Sequence, residues 1–183
     1  LNGDTYSVGH TLSLPEGATV KYARLYNFWT WSATGTTGVQ PSMSLQFEGK
    51  SLTPEAEYND QKGWGSQYDY PSGTWAYNVT GLVSGSGTYT TTVTNTHADT
   101  GNFVCVDGIG LLVVYEDASG KEIEYWVNEG CDMVSTMSTS GGLTPEEAAV
   151  EVSFKGGSID LNNVEEARLW TTVQSGGHTG ISL

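Results

Sequence analysis

Ile109-Gly110-Leu111-Leu112-Val113-Val114-Tyr115 decides the fold, because it is short, almost wholly apolar and rich in β-branched residues, and Asp117-Ala118-Ser119-Gly120 follows it closely. Such a run reads as a strand in the middle of a sheet, being too short for a buried helix. The Asp-Ala-Ser-Gly stretch carries turn-forming residues and predicts a hairpin into residues 121–127.

Working outward, residues 5–14 alternate, with Tyr6, Val8, His10, Leu12 and Leu14 on one face. After Pro15-Glu16-Gly17, residues 20–31 place Val20, Tyr22, Arg24, Tyr26 and Phe28 on one side and Ala23, Leu25, Trp29 and Trp31 mostly on the other. Bulk on both sides predicts a central strand. Further strands are expected at 43–47, 75–79, 88–94, 103–106, 122–127, 150–154 and 166–173. The whole chain, 1–183, therefore reads as one all-β domain, a two-sheet β-sandwich of jelly-roll type.

Two stretches depart from this pattern. Residues 52–70 mix acids, glycines and aromatics and predict a long loop presenting Trp64, Tyr68 and Tyr70 as interface or ligand aromatics. Thr144-Pro145-Glu146-Glu147-Ala148-Ala149 has an N-capping Thr, Pro at the first helical position and acids in the first turn, which predicts one short helix near 144–149.

The chain also repeats itself. Val20-Lys21-Tyr22-Ala23-Arg24-Leu25-Tyr26 resembles Val164-Glu165-Glu166-Ala167-Arg168-Leu169-Trp170, and Phe47-Glu48-Gly49-Lys50-Ser51-Leu52 resembles Phe154-Lys155-Gly156-Gly157-Ser158-Ile159. The two elements come in opposite order in the two halves, which speaks against a simple tandem duplication. Leu-Thr-Pro-Glu also occurs twice, at Leu52 and at Leu143.

Composition narrows the function. Seven basic against 21 acidic residues give a formal net charge of −14, which repels phosphate backbones and argues against nucleic acid. Subunits so charged pack together only if cations screen or bridge them, so calcium is a candidate assembly cofactor. Asp60, Asp69, Asp107, Glu129 and Asp132 lie in or beside Gly-bearing turns and are weak candidates for its ligands, although none fits an EF-hand.

Cys105 and Cys131 are 26 residues apart and have no zinc or redox spacing. A structural disulfide between them would stabilise by about 3 kcal/mol and imply an oxidising compartment. Two free buried thiols are the alternative. No apolar run approaches the length of a transmembrane segment, and the chain is expected to start at a processed terminus. Asn78-Val79-Thr80 makes Asn78 a glycosylation candidate.

His10, His97 and His178 are isolated, without a nucleophile elbow or a matching cysteine signature. With 21 acids, paired carboxylates carry no information about a glycosidase. No catalytic residue is expected, and the reading is non-enzymatic.

Leu112-Val113-Val114-Tyr115-Glu116-Asp117, then Glu124-Tyr125-Trp126-Val127-Asn128-Glu129-Gly130, together with the strand at 20–31, Tyr77-Asn78-Val79-Thr80-Gly81-Leu82-Val83 and Ala167-Arg168-Leu169-Trp170-Thr171, resemble a β-domain family of secreted archaeal surface proteins, notably of methanogens. The Tyr-Trp-Val-Asn-Glu-Gly run is its most specific motif. The resemblance implies a secreted chain at the cell envelope, and it supplies no catalytic residues. The expectation is thus a structural subunit of an extracellular sheath, surface layer, tube or filament. Its partners would be copies of itself, with other envelope proteins or glycans beside them. The runner-up is a carbohydrate-binding or adhesion module.

Overall fold

The computed structural model describes residues 1, 4–63, 69–134, 143–154, 156 and 159–174, and these form two antiparallel sheets. The first sheet runs β1 (Thr5–Leu12), β8 (Gly87–Asn95), β4 (Met43–Phe47), β5 (Lys50–Leu52). The second runs β3 (Thr37–Gly38), β2 (Thr19–Thr34), β7 (Ser72–Asn78), β6 (Ala56–Asp60), with β9 (Asn102–Glu116) on the opposite edge of β2. The all-β sandwich expected from the sequence is observed.

Alternation of side chains along the strands puts the core between the sheets. Leu25, Trp29, Trp75 and Tyr77 of the second sheet meet Leu45, Phe47, Tyr89 and Val93 of the first, all of them buried. Trp29 and Trp75 meet edge to face at 6.0 Å, and Phe47 stacks on Tyr89 at 5.8 Å. Gly73 lies opposite Trp29 in the ladder, and a Cβ there would fall 2.4 Å from Trp29 Cζ2. Only glycine lets the indole cross the β7 backbone so closely.

The solvent face of the first sheet is hydroxyl-rich. Thr5 pairs with Thr94, Ser7 with Thr92 and Thr11 with Thr88, at side-chain oxygen separations of 3.2, 2.9 and 3.3 Å. Cross-strand hydroxyl pairs of this kind hold the edge strand β1 in register without an apolar outer face.

Several expectations are corrected. Residues 103–106 and 109–115 are one strand, because the Asp107-Gly108 step is absorbed as a bulge where the register moves from Phe28–Gly108 to Trp29–Val106. The expected 52–70 loop contains β6, an edge strand on β7 with Ala56, Tyr58 and Asp60 half-buried. Residues 121–127 form no strand. The Asp117–Gly120 turn closes, with Gly120 N donating to Asp117 O at 2.9 Å, but the chain then crosses the sheet and does not return along β9. Residues 150–154 and 166–173 likewise join no ladder.

The helix expected near 144–149 is a single turn. Its cap forms as the sequence predicts: Glu147 N donates to Thr144 Oγ1 at 3.3 Å, and Thr144 N donates to Glu147 Oε2 at 2.8 Å. Ala148 N donates to Thr144 O at 2.9 Å, and the turn then gives way to Val150, since one turn cannot repay helix nucleation.

Candidate functional site

The outward side chains of β2 are Tyr22, Arg24, Tyr26 and Phe28, and Arg24 among them is only 5% exposed. A buried guanidinium needs a carboxylate with matching geometry. Glu129 supplies it: Arg24 Nε donates to Oε1 at 2.7 Å and Arg24 Nη2 to Oε2 at 2.9 Å. The same carboxylate accepts from Tyr26 Oη at 2.7 Å and Tyr58 Oη at 3.0 Å, while Arg24 Nη1 donates to Glu55.

Burial pushes the Glu129 carboxyl up, but the hydrogen bonds from Arg24, Tyr26 and Tyr58 outweigh it and hold it below the ordinary carboxylate range. Burial first, then the bond to Glu129, raises the Tyr26 phenol well above the tyrosine range. The arrangement is a closed clasp of one anion, one cation and two phenols. It fixes the chain after β9 onto the outer face of the second sheet.

A second tie lies three residues further on. Lys62 Nζ reaches Asp60 at 2.8 Å and Asp132 at 2.5 Å, and Met133 N donates to Asp60 Oδ2 at 2.6 Å. Gln174 Nε2 donates to Thr74 Oγ1 at 2.7 Å, which brings the later residues over the same face. Between residues 126–129 and 151–153 lies an open depression of about 590 Å³, floored by Trp126, Val127 and Val152 and edged by Glu129 and Glu151.

Four of the five candidate calcium ligands are engaged within the chain, and Asp107 is exposed on β9. Glu129 is held by Arg24, Asp60 and Asp132 share Lys62, and Asp69 Oδ1 accepts from Gly63 N at 3.0 Å. Among the described residues, no three His, Cys, Asp or Glu side chains group as a metal site. The Cys105–Cys131 disulfide is not formed. Both are free thiols, Cys105 exposed on β9 and Cys131 half-buried beside the Asp60–Asp132 pair.

Of the three interface aromatics, Trp64 and Tyr68 lie outside the described residues. Tyr70 stands edge to face with Trp31 at 6.4 Å and with Phe103 at 6.3 Å. Trp31, at the end of β2, is 45% exposed and has a φ of 55°, an uncommon conformation for a bulky residue. Asn78 is exposed at the end of β7, and its Oδ1 accepts from Thr80 N at 3.1 Å. His10 Nε2 lies 3.1 Å from Thr91 Oγ1, and its half-burial lowers its affinity for a proton. Among the described residues, no helix is long and apolar enough to cross a membrane.

The sequence profile of the DUF3344 family, described as a protein of unknown function, matches residues 1–182. The chain belongs to the DUF3344 family. No curated protein and no solved structure matches it.

In this DUF3344 chain the most specific motif of the sequence, Tyr-Trp-Val-Asn-Glu-Gly, carries the Glu of the clasp, and the Ala-Arg-Leu run carries its Arg. From the sequence Glu129 was a candidate only for calcium, and Arg24 was placed on its strand but not as a site residue. The signal was present: an arginine amid the aromatics of a two-sided central strand demands a buried acid.

Proposed function

We propose that the chain is a non-catalytic structural subunit of an extracellular assembly at an archaeal cell envelope, such as a sheath, surface layer, tube or filament. Copies join through strand pairing and aromatic contacts. The observation that carries this reading is the outer edge of β9. Among the described residues the only ladder partner of β9 is β2, and over residues 108–115 its other edge joins no strand, leaving a row of N–H and C=O groups there. The Gly108–Tyr115 stretch of that strand is uncharged, so it lacks the lysine or proline that protects an edge from pairing.

The charge of −14 supports a secreted surface protein, and it makes assembly dependent on ionic strength. Divalent cations act in this reading by screening, with calcium the natural one outside the cell. Electron microscopy of the purified chain, with and without millimolar calcium, tests it. Ordered tubes, sheets or fibres are expected, and dispersed particles under every condition would defeat it.

A second reading, a carbohydrate-binding or adhesion module, is favoured by the exposed Trp31 ring held against Tyr70, which in turn stands against Phe103. Such a face stacks on sugar rings. Quenching or blue-shift of tryptophan fluorescence on adding envelope glycans, lost in Trp31→Ala, would move this reading ahead.

A further inference from the structure

The second Ala-Arg-Leu run belongs to a stretch that repeats the start of the chain in the same order. Gly9-His10-Thr11-Leu12-Ser13-Leu14 corresponds to Gly156-Gly157-Ser158-Ile159-Asp160-Leu161, both reading Gly-x-(Thr/Ser)-(Leu/Ile)-x-Leu. A turn follows in each, and then Val-x-x-Ala-Arg-Leu with an aromatic, at Val20 and at Val164. Matched this way the elements keep their order, and the inverted Phe-x-Gly likeness is incidental.

The two copies differ in what covers them. In the first they are β1 and β2, and Leu25 and Trp29 are both 0% exposed. At the equivalent places Leu169 is 72% and Val173 is 78% exposed, and Trp170, matching Tyr26, is 80% exposed. Arg24 is clasped by Glu129, whereas the exposed Arg168 reaches Glu166, two residues away on its own segment, at 2.5 Å. An Ala-Arg-Leu strand with this sequence is built to be covered, and here it faces solvent.

What covers such a strand is visible in the first copy. Ala23, Arg24 and Leu25 pair antiparallel with Val113, Leu112 and Leu111 of β9. The opposite edge of that same β9 stretch has no partner among the described residues. Charge also fits: Ala167-Arg168-Leu169-Trp170-Thr171-Thr172-Val173 carries one positive and no negative charge, and residues 108–115 carry none. In a chain of net charge −14, neither of these two segments brings a like charge to the pairing.

We propose that residues 159–173 repeat the β1–β2 sequence as a second unit, and that they dock on a second copy of this chain, with residues 167–173 extending its second sheet along the open edge of β9. The proposal rests on the assembly reading and names the surfaces through which copies join. Because Leu169 is exposed within one copy, a charge there does not disturb the sandwich core.

Hydrogen exchange of the full chain at low and high concentration, with the mass followed by light scattering, tests it. The expected result is that amides of 167–173 and of 108–115 gain protection together as the mass rises. Leu169→Asp should abolish both changes and weaken self-association more than about tenfold, with the near-ultraviolet circular dichroism of the sandwich unchanged. Assemblies that leave 167–173 exchanging freely and ignore Leu169→Asp would overturn this docking and leave the assembly reading standing. A monomer at every concentration would overturn both. Protection of 167–173 in a strictly monomeric sample would overturn the second copy as the occupant.

Discussion

Arg24 and Glu129, 105 residues apart in sequence, meet in a two-pronged ion pair with N–O distances of 2.7 and 2.9 Å. Through it Arg24 on the outer face of β2 is buried, with Tyr22, Tyr26 and Phe28 beside it half-buried. The sandwich thereby gains a third layer made from chain that forms no strand. Removing one partner of such a pair leaves a buried charge without compensation, which is more damaging than losing the pair's own attraction.

Glu129→Ala should therefore destabilise the fold by about 3 kcal/mol, Glu55 retaining part of the guanidinium's needs. Urea denaturation checks this. Lys21→Ala, which breaks the exposed Lys21–Glu116 pair, should cost under about 1 kcal/mol and serves as the control.

The same clasp sets the pH dependence. Glu129 binds its proton less readily folded than unfolded, so its contribution is complete above the ordinary carboxylate range and is lost as pH falls through the lower folded value. The raised Tyr26 phenol acts in the opposite sense: its contribution is complete below the ordinary tyrosine value and is lost as pH rises through the higher folded one. Thermal unfolding against pH should show both limbs, and Glu129→Gln should flatten the acid one.

Gly73→Ala forces a methyl into the Trp29 ring and should destabilise by about 2 kcal/mol or more. Gly85→Ala, where nothing lies within 4 Å of the added carbon, should change stability by less than about 0.5 kcal/mol. Loss of the near-ultraviolet tryptophan signal on heating reads both variants.

The two thiols should react at different rates in the folded protein. Burial, with Asp60 and Asp132 adding to it, pushes the Cys131 thiol up to about 11, so little thiolate forms at neutral pH. A disulfide-exchange reagent should modify the exposed Cys105 quickly and Cys131 only slowly or after unfolding. Finding no free thiol under native conditions would contradict this arrangement.

Most of the sandwich was legible because alternation reports directly on which face is covered. Residues 43–47 were read with the observed bounds of β4, and the bulk on both sides of 20–31 correctly marked β2 as central. β6 was hidden, since Glu57 and Asn59 give an edge strand the composition of a loop. At 121–127, 150–154 and 166–173 the residues have strand chemistry but no ladder. Their pattern states what they would bury against a partner, and a ladder exists only where the partner is. The clasp went unread for a different reason: Arg24 on a two-sided strand signals that an acid is needed, but only the fold shows that Glu129, 105 residues away, supplies it.

Self-association is the claim on which this account stands, and sedimentation of the purified chain over a wide concentration range at physiological ionic strength tests it most directly. The mass should climb beyond 19.6 kDa with concentration and fall back when salt is removed and the charge of −14 is unscreened. A single species of 19.6 kDa at every concentration and salt would contradict it.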